Sequence, residues 1–333
     1  MKFNKLLLLY ALLVVGALWL GSFFLGPNHQ AKVTYHLVDD YGNPLKGFFY
    51  RMTGFYVRFP GGPLTPTNCS GLTDEKGNIT LSLKTALGAI GSGIKPDLPG
   101  YYYSGYGIQM TNVLGGIWQP WNPTVEVVVK PIINPIPMYA KTVHASNGNY
   151  MTIPATNTPV GFDLEIGDWV SPFGKGNTAD FIFTDQEKTP FTSMSQPYDV
   201  VWTLSFSNKG DGIQSVMVPK NASSKLRLPR YAPENGYQTT LVQQISRCGE
   251  KASHGACGED QNYFFRVRTV LDEQGNVKCA LYGKISGPIE CSQTGRIVFT
   301  YYLNPTPNDR NMEFDPKRNL FQNLPPFQPN LAP

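Results

Sequence analysis

Short stretches in which every second residue is apolar recur along this chain, each closed by a Gly, Asn or Asp turn. That pattern constrains the fold most, because a period of two is the period of a strand and a helix needs 3.6. Residues 296–303 place Ile297, Phe299, Tyr301 and Leu303 on one face. Residues 197–206 do the same with Val200, Trp202, Leu204 and Phe206. Residues 263–271 set Phe265, Val267 and Leu271 against Arg266 and Arg268, and residues 272–276 turn the chain into a partner strand at 277–282. Glycine (33), proline (28) and a 13% aromatic share supply turns and bulky strand residues, whereas long helices would tolerate so much Gly and Pro badly. The expected class is all-β.

The strands group into two units. Residues 30–130 open with a strand at 32–38, turn at 39–44, return at 47–53, turn again at 73–78 and continue with Ile79, Leu81 and Leu83 on one face. One helical turn is expected at Leu87 to Ile90, and Val125, Val127 and Val129 close the unit. This spacing fits a small immunoglobulin-like β-sandwich. Residues 131–137 carry Pro131, Pro135 and Pro137, which suit a stiff polyproline-type connector and not a central strand. Residues 138–321 then form a larger sandwich or barrel-like domain, and residues 322–333 a Pro-rich tail.

Ahead of both units, Leu6 to Leu25 runs about twenty residues without a charge. That length crosses a bilayer core of ~30 Å as a helix. Lys2 and Lys5 precede it and stay cytoplasmic, so residues after Gly26 are expected to face the periplasm or cell exterior. A cleaved signal peptide is the alternative, with Val15-Gly16-Ala17 as the small-residue site. That site cuts the apolar run in the middle, so residues 1–29 are expected to be an uncleaved anchor.

The first unit resembles the carboxypeptidase regulatory-like domain, a transthyretin-like β-sandwich. The residues that carry the likeness are Val38-Asp39 with Gly42-Asn43-Pro44, Gly47, Thr73-Asp74 with Gly77, Gly100-Tyr101 and the closing Val-rich strand. Such domains carry no peptidase chemistry, and the resemblance implies a scaffold, spacer or binding module. The chain is also similar to uncharacterised exported bacterial proteins. There the likeness rests on residues 129–140, 159–169, 174–180, 303–311 and 313–315, and it implies the same two-part layout and no activity.

Several constellations have the residue types that chemistry would need. Asp163, Glu165, Asp168 and Asp180 crowd around Trp169. Paired carboxylates beside an aromatic ring are the equipment of a glycosidase, so Asp163, Glu165 and Asp168 would be the acids of an exported polysaccharide hydrolase. The plainer reading makes them turn carboxylates. Tyr101, Tyr102, Tyr103, Tyr106, Trp118 and Trp121 are candidates for stacking on sugar rings, although such residues also fill cores. Gly174-Lys175-Gly176-Asn177-Thr178 matches no phosphate-loop spacing. Asp309, Asn311, Glu313 and Asp315 alternate but lack the glycine of a calcium loop, and His254 between Cys248 and Cys257 lacks paired zinc-ligand spacing. No metal and no cofactor is expected.

Five cysteines leave one over. Export favours oxidation, so Cys248–Cys257 and Cys279–Cys291 are expected bridges, with Cys69 free. A formal charge of +4 spread without a basic run gives no concentrated phosphate-binding face, which argues against nucleic acid as partner. The expected function is therefore a membrane-anchored structural or binding protein contacting a glycan or an envelope protein, with the hydrolase as the alternative.

Overall fold

The computed structural model of the chain describes residues 28–143, 151–218, 221–248, 251–254, 261–322, 324 and 331–333. It divides into two compact units, Met1–Ile132 with Asn221–Lys225, and Ile133–Lys220 with Leu226–Pro333. All regular structure among the described residues is strand.

The first unit contains β1 (His29–Val38), β2 (Phe49–Val57), β3 (Leu64–Leu72), β4 (Asn78–Thr85), β5 (Ala89–Ile94), β6 (Ser104–Gln109), β7 (Asn112–Leu114), β8 (Ile117–Gln119) and β9 (Thr124–Val128). One sheet runs β4-β1-β8-β7, with β9 also paired to β1. The other runs β6-β5-β2-β3 and gains a strand at its β6 edge from far along the chain, β17 (Ala222–Ser224). The core follows directly from the alternation. Ala31, Val33, Tyr35 and Leu37 of β1 are fully buried, and they meet Tyr50 and Met52 of β2 together with Ile79, Leu81 and Leu83 of β4. Within this core Ser92 Oγ lies 3.0 Å from Tyr50 Oη and donates to the Tyr106 carbonyl at 2.8 Å, so both of these buried hydroxyls are partnered.

Turns of the form Asp-x-x-Gly-Asn are built alike in both units. Asp39, Asp74 and Asp272 each accept, at one carboxylate oxygen, the backbone N–H groups two and four residues on, at 2.7–3.0 Å. The glycine takes positive φ, +84° at Gly42, +74° at Gly77 and +85° at Gly275, which a side chain would resist. Against slight burial, the side-chain amide and backbone N–H of Asn43 hold the Asp39 carboxyl below the ordinary range, and the backbone N–H and side-chain amide of Asn276 do the same for Asp272.

The second unit contains β10 (Ile136–Val143), β11 (Met151–Thr152), β12 (Val160–Asp163), β13 (Asp168–Trp169), β14 (Phe181–Thr189), β15 (Tyr198–Ser205) and β16 (Gly212–Met217). It continues with β18 (Thr240–Cys248), β19 (Lys251–His254), β20 (Gln261–Leu271), β21 (Val277–Ile285), β22 (Glu290–Cys291), β23 (Arg296–Asn304) and β24 (Phe314–Asn319). One sheet runs β16-β20-β21-β23-β10-β24, and the facing one β13-β12-β14-β15-β18-β19. Between them lies an aromatic core in which Phe162, Phe181, Phe183, Phe299 and Trp169 meet largely edge to face, with centroids 5.3–6.1 Å apart. The larger sheet is covered on its other side as well. Leu228, Ala232 and Tyr237, from a stretch without strand periodicity, lie over Ala280, Tyr282, Tyr302 and Phe314. That second cover explains why Ala280 to Ile285 are buried on both faces.

Two expectations change. Leu87 and Gly88 form a bend and Ala89 and Ile90 begin strand β5, in place of the helical turn: Ile90 is buried opposite Ile108 of β6, and the gain is a sheet partner that an isolated turn lacks. The expected Cys279–Cys291 disulfide does not appear among the described residues. Cys279 carries a free thiol. Tyr282, three residues on, pairs with Asn304 at one end of β23, while Cys291 pairs with Ile297 near the other. Seven residues of strand, roughly 23 Å, then separate their neighbourhoods, where a bridge needs Cα atoms within ~7 Å. Cys248 ends β18 as an exposed free thiol, and Cys257 lies outside the described residues. Cys69 on β3 is a free thiol. The expected anchor at 6–25 also lies outside the described residues, and among those described no helix is long and apolar enough to cross a membrane.

Candidate functional site

The acidic cluster of the second unit is assembled by the β12–β13 hairpin and the glycine-rich loop behind it. Asp163 ends β12, and its backbone oxygen closes the turn by accepting the Gly167 N–H at 2.7 Å. Its carboxylate accepts four backbone N–H groups. Glu165 and Ile166 donate to Oδ1 at 3.0 and 3.1 Å, and Asn177 and Thr178 donate to Oδ2 at 2.9 and 3.0 Å. The loop comes this close only because residue 176 lacks a side chain. A Cβ on Gly176 would stand 2.7 Å from Asp163 Cβ and 3.0 Å from the Asp168 carbonyl oxygen. Burial works against the Asp163 charge, yet the four N–H donors outweigh it and hold this carboxyl below its usual range.

Asp180, just ahead of β14, is buried beside it. Arg268 grips it with a two-pronged contact, Nε to Oδ1 at 2.8 Å and Nη2 to Oδ2 at 3.0 Å. The Leu164 N–H adds a bond to Oδ2 at 2.9 Å. Burial still dominates and leaves the Asp180 carboxyl above its ordinary value. Arg268 also reaches Glu165 at 2.9 Å and Asp163 at 3.6 Å. It sits at φ +55°, where the pairing of β20 with β21 slips between Val267 and Val270. Such bulges re-aim a side chain, and this one serves three carboxylates with a single guanidinium. The Tyr301 hydroxyl closes the group by donating to the Leu164 carbonyl at 2.7 Å.

Glycosidic hydrolysis needs one carboxyl free to donate a proton and a second facing it, free to act as base or nucleophile. At this site Asp163 is saturated by backbone donors, and Asp180 is occupied by Arg268 and Leu164. Asp168 accepts the N–H groups of Trp169 at 2.9 Å and Lys175 at 3.0 Å. Trp169 is in the aromatic core and offers no face to a ligand. The arrangement joins the β12–β13 turn, the 174–178 loop, the start of β14 and the β20 bulge.

The aromatic candidates of the first unit separate by burial. Tyr102 is inside, Tyr101 packs edge to face on Phe48 at 5.1 Å, and Trp118 does the same with His29 at 5.6 Å while donating its indole N–H to Thr85 O. Trp121 is exposed, with the Lys32 ammonium 5.8 Å from its ring centroid. Tyr103 lines an open groove on the β6-β5-β2 face. That groove has no signature in the sequence, because its floor is glycine and glycine carries no side chain.

The alternating polar residues near the C-terminus are also structural. Glu313, fully buried, accepts the Ile133 and Asn134 N–H groups at 2.9 and 3.0 Å and pairs with buried Arg230. Asn311 receives the Glu313 N–H and donates to the Asn134 carbonyl at 2.8 Å. These bonds satisfy backbone groups of the Pro-rich stretch that its prolines leave without a ladder partner. Among the described residues, no group of three or more His, Cys, Asp and Glu side chains is arranged to hold a metal ion.

No family model and no curated protein matches the chain. Among solved structures, a DUF3823 family protein from Parabacteroides merdae ATCC 43184 aligns at 10% identity over 81% of this chain and 96% of its own, with a TM-score of 0.21. Shaft pilin SpaA from Lactobacillus rhamnosus GG aligns at 11% identity over 74% of this chain and 89% of its own, with a TM-score of 0.20.

Proposed function

We propose that the chain is an extracytoplasmic structural or binding protein, held at the membrane by residues 6–25 and presenting its two β units to the periplasm or cell exterior. The observation that carries the non-catalytic half of this reading is the Asp163 carboxylate, whose four backbone hydrogen bonds leave it no role as a proton acceptor. The uncharged run from Leu6 to Leu25 carries the location. On this reading the first unit works as a spacer or binding module, as its resemblance to the carboxypeptidase regulatory-like domain implies. The partner is a glycan or another envelope protein. No observation favours the hydrolase.

The location is testable on the native protein. It should stay in the membrane fraction through an alkaline carbonate wash, with an intact N-terminus by mass spectrometry. A soluble product beginning near Leu18 would show a cleaved signal peptide and end the anchor reading.

A further inference from the structure

The outer face of the β17-β6-β5-β2-β3 sheet has a trough with no side chains on its floor. On β5, Ile90, Ser92 and Ile94 point into the core, so Gly91 and Gly93 face outward by strand alternation. Each meets a glycine on β6, Gly91 opposite Gly107 and Gly93 opposite Gly105. Of these two adjacent cross-strand pairs, Gly91 and Gly107 leave bare backbone accessible between β2 and β17, while Gly93 and Gly105 are buried beneath Tyr103. The opening encloses about 360 Å³, within the ~300–1,000 Å³ range of small-ligand clefts.

The borders of the trough have a definite chemistry. On the β2 side stand Arg51, opposite Gly93, and Thr53, opposite Gly91, both outward-facing. The Arg51 guanidinium lies 5.6 Å from the Phe49 ring centroid, which steadies it beside the floor. Tyr103 crosses one end of the floor: a Cβ on Gly93 would stand 2.5 Å from its hydroxyl and one on Gly105 3.1 Å away. The other end is open, since a Cβ on Gly107 would meet nothing within 4 Å. Lys95 adds a second cation to the lining, which includes no Asp or Glu.

A flat polar floor, an aromatic side chain across one end and cations without counter-carboxylates suit a ring-shaped ligand that carries negative charge. We propose that this trough binds an anionic glycan of the uronic-acid type. A sugar ring lies over Gly91 and Gly107 against Tyr103, and its carboxylate pairs with Arg51 and Lys95. The glycine floor lets the ring approach the backbone more closely than any side chain would allow. The inference rests on the binding reading above and names its ligand class.

The test is calorimetric titration of the full-length protein in detergent micelles with three probes: linear tetragalacturonate, its carboxyl-reduced neutral counterpart, and tetrapolyphosphate. The expected result is saturable binding of tetragalacturonate, at least tenfold weaker binding of the neutral chain, and no comparable binding of the polyphosphate. Gly107→Val fills the open end of the floor without a steric neighbour, so it should fold normally and weaken binding at least tenfold. Arg51→Gln should weaken the uronate by a similar factor and leave the neutral chain unchanged. Absence of tetragalacturonate binding, equal binding of all three probes, or insensitivity to both substitutions would each overturn the proposal. Because membrane retention is read separately, a failure here would remove the ligand and leave the anchor reading intact.

Discussion

Replacing Arg268 with methionine is expected to destabilise the second unit by about 3–5 kcal/mol, the usual consequence of removing one partner from a buried ion pair. Arg268 is the shared cation of Asp180, Glu165 and Asp163. Without it, Asp180 keeps the Leu164 N–H and loses both prongs of its charge-assisted contact. Asp163 is better protected by its four backbone donors, so most of the loss should trace to Asp180. Two further variants separate charge from packing. Arg268→Lys restores the charge but not the planar fork and should recover only part of the loss. Asp180→Asn in the Arg268→Met background should recover more, because it removes the stranded charge itself. The unfolding transition of the second unit, followed by calorimetry, reads all three. A loss below about 1 kcal/mol in Arg268→Met would mean that the cluster is solvated and contributes little.

The second large effect depends on pH and centres on Asp185. This residue faces inward on β14 opposite Trp202, only 4% exposed, and its Oδ1 has no hydrogen-bond partner among the described residues. Burial first, and the nearby Glu187 charge second, push its carboxyl from 3.8 up to about 6. Below pH ~4 the group is protonated both folded and unfolded, and nothing is lost. Between ~4 and ~6 the unfolded chain ionises while the folded one resists, so stability falls as pH rises, and it stays reduced above that window. The full shift corresponds to on the order of 2–3 kcal/mol. Asp185→Asn should therefore match the parent near pH 4 and exceed it by roughly that amount at pH 7. Other carboxyls titrate in the same range, so the informative quantity is the difference between variant and parent. A difference that is flat with pH, or that grows toward acid, would contradict the assignment.

Much of the fold was legible because its signal is local. The faces of β1, β4, β15 and β23 follow from period-two alternation, and the three Asp-x-x-Gly-Asn turns from residues that tolerate positive φ. What could not be read depends on distant partners. β3 alternates no apolar residues and is a strand through its pairing with β2. β17 is three residues long and exists only against β6. The 226–237 cover packs on its sheet through Leu228, Ala232 and Tyr237, at spacings that suit neither a helix nor a strand. The Cys279–Cys291 pairing failed for a related reason. Nearness in sequence placed Cys279 beside Cys291, while the β21–β23 register carries them to opposite ends of one strand. The acidic cluster was visible as a cluster, but its partner Arg268 lies 88 residues from Asp180, and only the fold brings the two together.

The claim that these carboxylates hold the fold and perform no chemistry is tested most directly with Asp163→Asn. An amide presents one acceptor where the carboxylate presents two, so one of its nitrogen-facing pairs of backbone N–H groups would lose its partner. Unfolding and polysaccharide cleavage should be measured on the same preparations of parent and variant. The expected result is a stability loss on the order of 3 kcal/mol with no cleavage by either protein. A parent that cleaves polysaccharide, beside a variant that unfolds like the parent and no longer cleaves, would contradict the account.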